Sequence, residues 1–312
     1  MNNRERYPQS TLHKPAVRTM IPPVRILAAV DFSEPSRTAL NFAGRLTRQS
    51  GAELHVMYAE DPLLAAAART RGVNLAAESR EELRTFAAGT RPAPDGEVRY
   101  HVMTGEPVDA VLDVAHREHA DVIVLGARGI SGAERLVFGS TAEGLLRRAD
   151  LPVIVVPEAW TPASPATADL TGMGPVICGV DLTLPSIEAA EAGTQLASLL
   201  KTDAVLVHVV PQLSVLERWR AHAEEATRQR LELARRDLDH ITKHTATIGR
   251  ARLQIETGNI PECLATVAHA STHSMLVLGR ALGPGGYTPP GSNAYRALTL
   301  ARVPVMMHVT RD

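Results

Sequence analysis

The sequence predicts an α/β protein of two tandem doubly wound domains. Each holds a five-stranded parallel sheet, and the apolar closing strands LPVIVVP and VPVMMHV, aggregation-prone as bare edges, predict that the two pair as a pseudo-dimer. Three observations carry this. Short apolar runs alternate with amphipathic helical stretches along the chain. The runs are apolar on both faces, as parallel strands covered by helices require. The series also occurs twice. Val30-Asp31-Phe32-Ser33-Glu34-Pro35-Ser36 recurs as Val180-Asp181-Leu182-Thr183-Leu184-Pro185-Ser186, 150 positions later. Leu54-His55-Val56 matches Val207-His208-Val209, Thr104-Gly105 matches Thr257-Gly258, and Leu125-Gly126 matches Leu278-Gly279, all at 153. Leu151-Pro152-Val153 matches Val303-Pro304-Val305 at 152.

In the first copy, VRILAAV (24–30) is a strand. Ser33 caps the helix that follows, and Pro35 fits its first turn. Leu40, Ala43 and Leu46 give that helix its apolar face. AELHVMY is the second strand, a helix spans about 76–89, and EVRYHVM is the third strand. Val108, Val111, Leu112 and Ala115 follow helical spacing. DVIVLG, a helix over 140–148 and LPVIVVP complete the copy. The second copy has strands PVICGV, AVLVHVV, RLQIET, SMLVLG and VPVMMHV. Its charged helix over about 214–243 reads as a solvated face with i,i+4 pairs. The expected organisation is a flexible leader over 1–23, domain 1 over 24–157, a Pro/Ala-rich linker over 158–173 and domain 2 over 174–312.

Bulk composition excludes several function classes. The net charge is −1, so no global field favours nucleic acid or an anionic membrane. Aromatic residues are 4% of the chain, too few for a single-strand stacking platform. No apolar stretch reaches membrane-spanning length, and the polar start lacks the apolar core of a secretion signal. The two cysteines, Cys178 and Cys263, form no CxxC pair and read as free thiols of a reducing compartment. A cytoplasmic protein is expected.

In doubly wound sheets, ligands bind at the carboxyl ends of the strands. The stretch Gly126–Thr141, GARGISGAERLVFGST, leaves such an end and enters a helix. Its glycines permit close backbone approach. Amides at the helix entrance, Gly139-Ser140-Thr141, attract phosphate, and Arg128 adds a cation. A plain Gly-rich turn with a Ser cap is the competing reading. The stretch is neither a Walker A loop nor a GxGxxG fingerprint. Asp31 closes the first strand, where it can meet a ribose hydroxyl or an adenine amino group, cap the turn, or do both. His269 and His273, four apart near a helix end, lack an obvious third ligand, so no metal site is expected. His55 and His208 occupy matching strand positions and read as core residues. No catalytic residue is expected.

The spacing Gly126-x2-Gly129-x9-Gly139-Ser140 resembles the ATP-binding signature of the universal stress protein family. VDFSEPS, LHVMYAED, TGEP and LPVIVVP stand in family order. The resemblance covers residues 24–157 and 174–310. It implies a tandem member with a Rossmann-like, adenine nucleotide α-hydrolase-like fold, the closing strands of the two copies pairing across the pseudo-two-fold axis. It assigns Ala29, Val30 and Asp31 to the adenosine end and gives Val56 a backbone contact to adenine. It sets Gly126, Arg128, Gly129, Gly139, Ser140 and Thr141 around ribose and phosphates. In the second copy, Asp181, Val209, Gly279, Gly291 and Ser292 are retained. There Leu282 takes the second glycine's place, and Pro284, Pro289 and Pro290 remove backbone donors. The expected cofactor is ATP, with or without magnesium, or else ADP or AMP, bound mainly by domain 1. The expected role is a nucleotide-dependent sensor or regulator in a stress response. A scaffold or small-ligand binder, and a slow ATPase or self-phosphorylating protein, stand as alternatives. An adenylating ligase would need an SGGxDS loop where VDFSEPS stands. A protein partner and pairing of whole chains are left open.

Overall fold

Ser33 starts the first helix as its composition demands. The strand β1 (Arg25–Val30) leads to α1 (Glu34–Ser50), and the Ser33 side chain accepts from the amide of Ser36. Leu40, Ala43 and Leu46 are buried against the sheet. The computed structural model describes residues 22–90, 97–127, 138–212, 219–271, 273–282 and 290–310. The first half continues with β2 (Glu53–Glu60), α2 (Pro62–Thr70), α3 (Leu75–Ala88), β3 (Val98–Thr104), α4 (Pro107–Arg117), β4 (Val122–Gly126), α5 (Ser140–Arg148) and β5 (Val153–Val156). The second half has β6 (Val176–Gly179), α6 (Leu184–Leu200), β7 (Ala204–Pro211), α7 (Arg220–His244), β8 (Arg252–Gly258), α8 (Ile260–Ala270), β9 (Met275–Ala281), α9 (Ser292–Leu300) and β10 (Val305–Thr310).

The two parallel sheets join into one. Strand order is β3-β2-β1-β4-β5-β10-β9-β6-β7-β8 across 10 strands. Only the β5–β10 pair at the centre is antiparallel, with Ile154 opposite Met306. This is the expected pseudo-dimer. The junction converts two apolar edges, each an aggregation hazard if bare, into interior strands. Ile154 and Met306 are 1% and 0% exposed, and burial of each such side chain contributes roughly 1.5–3 kcal/mol. Residues alternate between the two faces. Ile26, Ala28 and Val30 pack under α1, α3 and α6 on one side, while Leu27 and Met57 pack under α4, α5 and α8 on the other.

Three features depart from the sequence reading. The helix α2 was not expected. Its segment PLLAAAART buries only Ala65, so it shows no amphipathic contrast; Asp61 caps it by accepting from Leu63 and Leu64. Next, the 158–173 segment is no loose tether. Trp160 stacks edge-on against Phe42 with centroids 5.1 Å apart, Leu170 and Met173 are buried, and buried Arg45 donates to the carbonyls of Thr167 (2.7 Å) and Asp169 (3.0 Å).

The last departure concerns register. Ala28 pairs with Val56 and Ala29 with Met57, whereas Cys178 pairs with Leu206 and Gly179 with Val207. The second strands therefore superpose at an offset of 150, not 153. Val56 corresponds to Leu206, Ala59 to Val209 and Tyr58 to His208, so His55 and His208 are not equivalent. The three additional residues enter between β7 and β8, beside the longer helix α7. From there on the offset is 153, because Glu60 pairs with Thr104 and Val210 with Thr257.

Candidate functional site

A cavity of about 600 Å³ opens at the carboxyl ends of β1, β2 and β4. Asp31 forms its floor at the end of β1. One oxygen of its carboxylate accepts from the Ser33 amide (3.1 Å) and the Ser33 hydroxyl (2.5 Å). Asp31 thus does serve the turn. The turn itself is strained. Phe32 has φ 65°, and Leu182 at the same place in the second half has φ 70°. A left-handed backbone in a bulky residue costs on the order of 1–3 kcal/mol and survives where surrounding contacts fix it. Here the Phe32 ring packs 4.5 Å from Tyr58 and 5.5 Å from Phe86. Tyr58 in turn forms one wall of the cavity, and burial raises its phenol pKa, with Glu60, Asp31 and Asp61 adding to the rise.

The opposite wall is the amino end of α5. The Gly139 amide donates to the carbonyl of Ala127 at 3.0 Å, which closes the intervening loop at its base. The first amide engaged within the helix is that of Glu143, donating to Gly139. No side chain caps this helix. Among the described residues, no acceptor meets the amides of Ser140, Thr141 and Ala142, and all three residues line the cavity. Such a triplet carries the positive end of the helix dipole, which favours an anion by about 0.3–1 kcal/mol, and up to ~2 when partly buried.

The expected residues mostly converge. Ala29, Val30, Asp31, Gly126, Gly139, Ser140 and Thr141 all line the cavity. Gly139 contributes space and not a donor, because its amide is already engaged. Val56 does not line the cavity; it lies in the core with 0% exposure, and the β2 wall is Met57, Tyr58 and Ala59. Arg128 and Gly129 lie outside the described residues. Tyr58, Asp61 and Ala142 were missed. Ala142 was legible as the third residue of a predicted helix entrance, while Tyr58 looked like ordinary strand.

The second half repeats the plan on a smaller scale. Its cavity measures about 110 Å³ and includes Asp181, Val209 and Gly279. Gly291 and Ser292 do not line it, but Asn293 does. Larger side chains account for part of the difference. Where the first half has Ala59, Pro107 and Val111, the second has Val209, Ile260 and Leu264. Burial works to raise the Asp181 carboxyl, yet hydrogen bonds from Thr183 and Ser186 outweigh it and hold the pKa below the usual value. Gly279 is needed for packing, since a Cβ there would lie 2.3 Å from the carbonyl oxygen of Pro185. Gly283, Pro284 and Pro289 fall outside the described residues. His269 accepts from the Arg302 amide at 2.9 Å and His273 faces the Thr161 carbonyl at 3.1 Å, so the two serve separate structural contacts.

A parallel sheet with a cavity at its strand ends, walled by a helix amino terminus, defines a doubly wound α/β protein. The sequence profile described as the universal stress protein family matches residues 24–157. A universal stress protein of Methanocaldococcus jannaschii is 28% identical over 137 residues, covering 42% of this chain and 81% of that one. One from Mycobacterium tuberculosis is 27% identical over 216 residues, covering 62% and 64%. A crystal structure of a universal stress protein from Archaeoglobus fulgidus shares the fold, with TM-score 0.61, 17% identity and coverage of 91% of this chain and 98% of that one. Residues 24–157 are thus similar to the universal stress protein family, and the second half repeats the same fold.

Proposed function

We propose that this protein binds one adenine nucleotide in its first half and acts as a nucleotide-dependent regulator. The observation that carries the reading is the facing pair of walls in the 600 Å³ cavity: the amides of Ser140, Thr141 and Ala142, which meet no acceptor among the described residues, on one side, and Asp31 and Tyr58 on the other. The amides receive phosphate. The carboxylate receives a ribose hydroxyl or the adenine amino group. Val30 and Met57 supply apolar contact to the base. The 110 Å³ cavity of the second half opens beside a wider cleft of about 1050 Å³ that shares Ile260 and Asn293 with it, and we assign that half weak nucleotide binding or none.

Regulation in this reading is a population shift: nucleotide favours one conformational or oligomeric state, and a partner reads that state. Among the described cavity residues, no base stands against a nucleophile, which favours binding over rapid turnover. Unpaired Cys178 and Cys263 suit a reducing cytoplasm. No described helix is long and apolar enough to cross a membrane.

Titration calorimetry of the full chain with ATP, ADP and AMP tests the proposal. The expected result is one nucleotide per chain, weakened about tenfold or more in Asp31→Ala through loss of a charged hydrogen bond, and unchanged in Asp181→Ala. Absence of binding at millimolar nucleotide sinks the reading. Two equal sites sink the division between halves.

A further inference from the structure

At the other end of the first half, three residues from three elements meet. His55 lies near the amino end of β2, His101 on the neighbouring edge strand β3, and Glu118 just after α4. His55 Nδ1 is 3.1 Å from His101 Nε2. Glu118 stands 3.9 Å from His55 Nδ1 through one oxygen and 3.8 Å from His101 Nδ1 through the other. One potential ligand atom from each residue lies within 4.8 Å of the others.

The proton count of this chain of groups is unusual. The ring planes are within 5° of parallel, and the contact between them is nitrogen to nitrogen. Glu53 lies 3.5 Å from the outer nitrogen of His55, and Glu118 lies beside the outer nitrogen of His101. Two neutral imidazoles own two N–H groups. If both face the carboxylates, the inner nitrogens oppose lone pair to lone pair at 3.1 Å. If one turns inward to bridge the rings, a lone pair faces a carboxylate instead. A cation between the inner nitrogens relieves both conflicts. The Nε2 of His55, a side chain 1% exposed, faces Glu53 at 3.5 Å.

We propose that His55, His101 and Glu118 form a binding site for a divalent transition-metal ion of the zinc class. Two imidazole nitrogens with one carboxylate oxygen are the donor set of open zinc sites, and the nitrogens disfavour calcium and magnesium, which take oxygen ligands. Three protein ligands leave a fourth position for water. The outer shell is in place. Glu53 orients His55 and is itself flanked by Arg25 at 3.5 Å and Arg99 at 3.9 Å. Arg117 holds one oxygen of Glu118 at 3.3 Å, leaving the other to the metal. Glu118 is 22% exposed, which gives the ion a way in. The site sits at the amino ends of the strands, away from the nucleotide cavity, and stands without that reading.

The test is zinc titration of the untagged full chain, stripped with chelator, against a chromophoric competitor. The expected result is one tight Zn²⁺ per chain. His101→Ala and Glu118→Gln should weaken it about 100-fold or more, and Glu53→Gln about tenfold, in line with outer-shell effects. Cobalt substitution should give the visible bands of a four-coordinate site, absent from His101→Ala. His240 and His244, an exposed pair with rings 4.2 Å apart, are the competing surface site, so His244→Ala should leave uptake unchanged. Melting curves exclude unfolding as the cause of any loss. The proposal is overturned if wild type takes up no zinc, if uptake survives in a folded His101→Ala, or if His244→Ala abolishes it.

Discussion

Arg280 of β9 reaches across the pseudo-dimer junction and donates to the carbonyl of Ala149, directly after α5. The same guanidinium donates to the Arg147 carbonyl at 3.1 Å. A buried cation of the second half therefore caps the carboxyl end of the helix whose amino end walls the 600 Å³ cavity of the first half. The contact satisfies carbonyls that the helix leaves unpaired and complements its dipole. Among the described residues it is matched by no counterpart, because Ala127 stands at the equivalent place in the first half.

Replacing this residue tests the coupling. Arg280→Met keeps much of the side-chain volume but leaves two carbonyls without their donor. The expected cost is about 2–4 kcal/mol, the range for unsatisfied buried acceptors of a charged donor. Urea unfolding measures it. Nucleotide affinity should also fall several-fold, as α5 is freed to shift. A variant with unchanged stability and affinity would show that the two halves are paired by the sheet alone.

The sequence displayed the elements that obey local rules. Ser33 and Pro35 announced α1, and the spacing of Val111, Leu112 and Ala115 announced α4. The repeat announced the pseudo-dimer. What stayed hidden was set by tertiary contact. The match of Leu54-His55-Val56 with Val207-His208-Val209 looked as good as the others, yet strand register rejects it. A period-2 apolar strand admits many alignments, and only its neighbours choose one. The same limit concealed Tyr58 at the cavity and the meeting of His55 with His101. Arg45 gave no hint that it would be buried by a strap, since its partners are backbone carbonyls that sequence does not distinguish.

The retained glycine of the second half gives a separate prediction. Gly279→Ala would place a methyl group 2.3 Å from a backbone oxygen of Pro185, and backbone cannot step aside as a flexible side chain can. A loss of about 1–3 kcal/mol is expected, typical of overpacking. Gly291 has nothing within 4 Å of the same position and sits as a helix N-cap. Gly291→Ser should therefore be neutral or raise stability by a few tenths of a kcal/mol. Thermal melts of the two variants decide the matter. Equal behaviour would mean that Gly279 persists for a reason other than packing.

His308 sets an acid limit on the junction. It lies on β10, 6% exposed, with its Nδ1 lacking a hydrogen-bond partner. Burial pushes its imidazole down from 6.5 to about 4. Above pH 6.5 the ring is neutral both folded and unfolded, and its full contribution to stability is present. As pH falls below 6.5 the unfolded chain takes up a proton that the folded chain refuses, so stability drops until about pH 4, where the folded form protonates too. One pH unit below the unfolded value, this single residue should cost about 1.4 kcal/mol. His308→Phe removes the titration at similar bulk. The difference in unfolding free energy between wild type and variant should be constant above pH 7 and shift by that amount, in the variant's favour, at pH 5.5. A difference that stays flat across this range would mean that the ring titrates in the folded protein as it does in the unfolded chain.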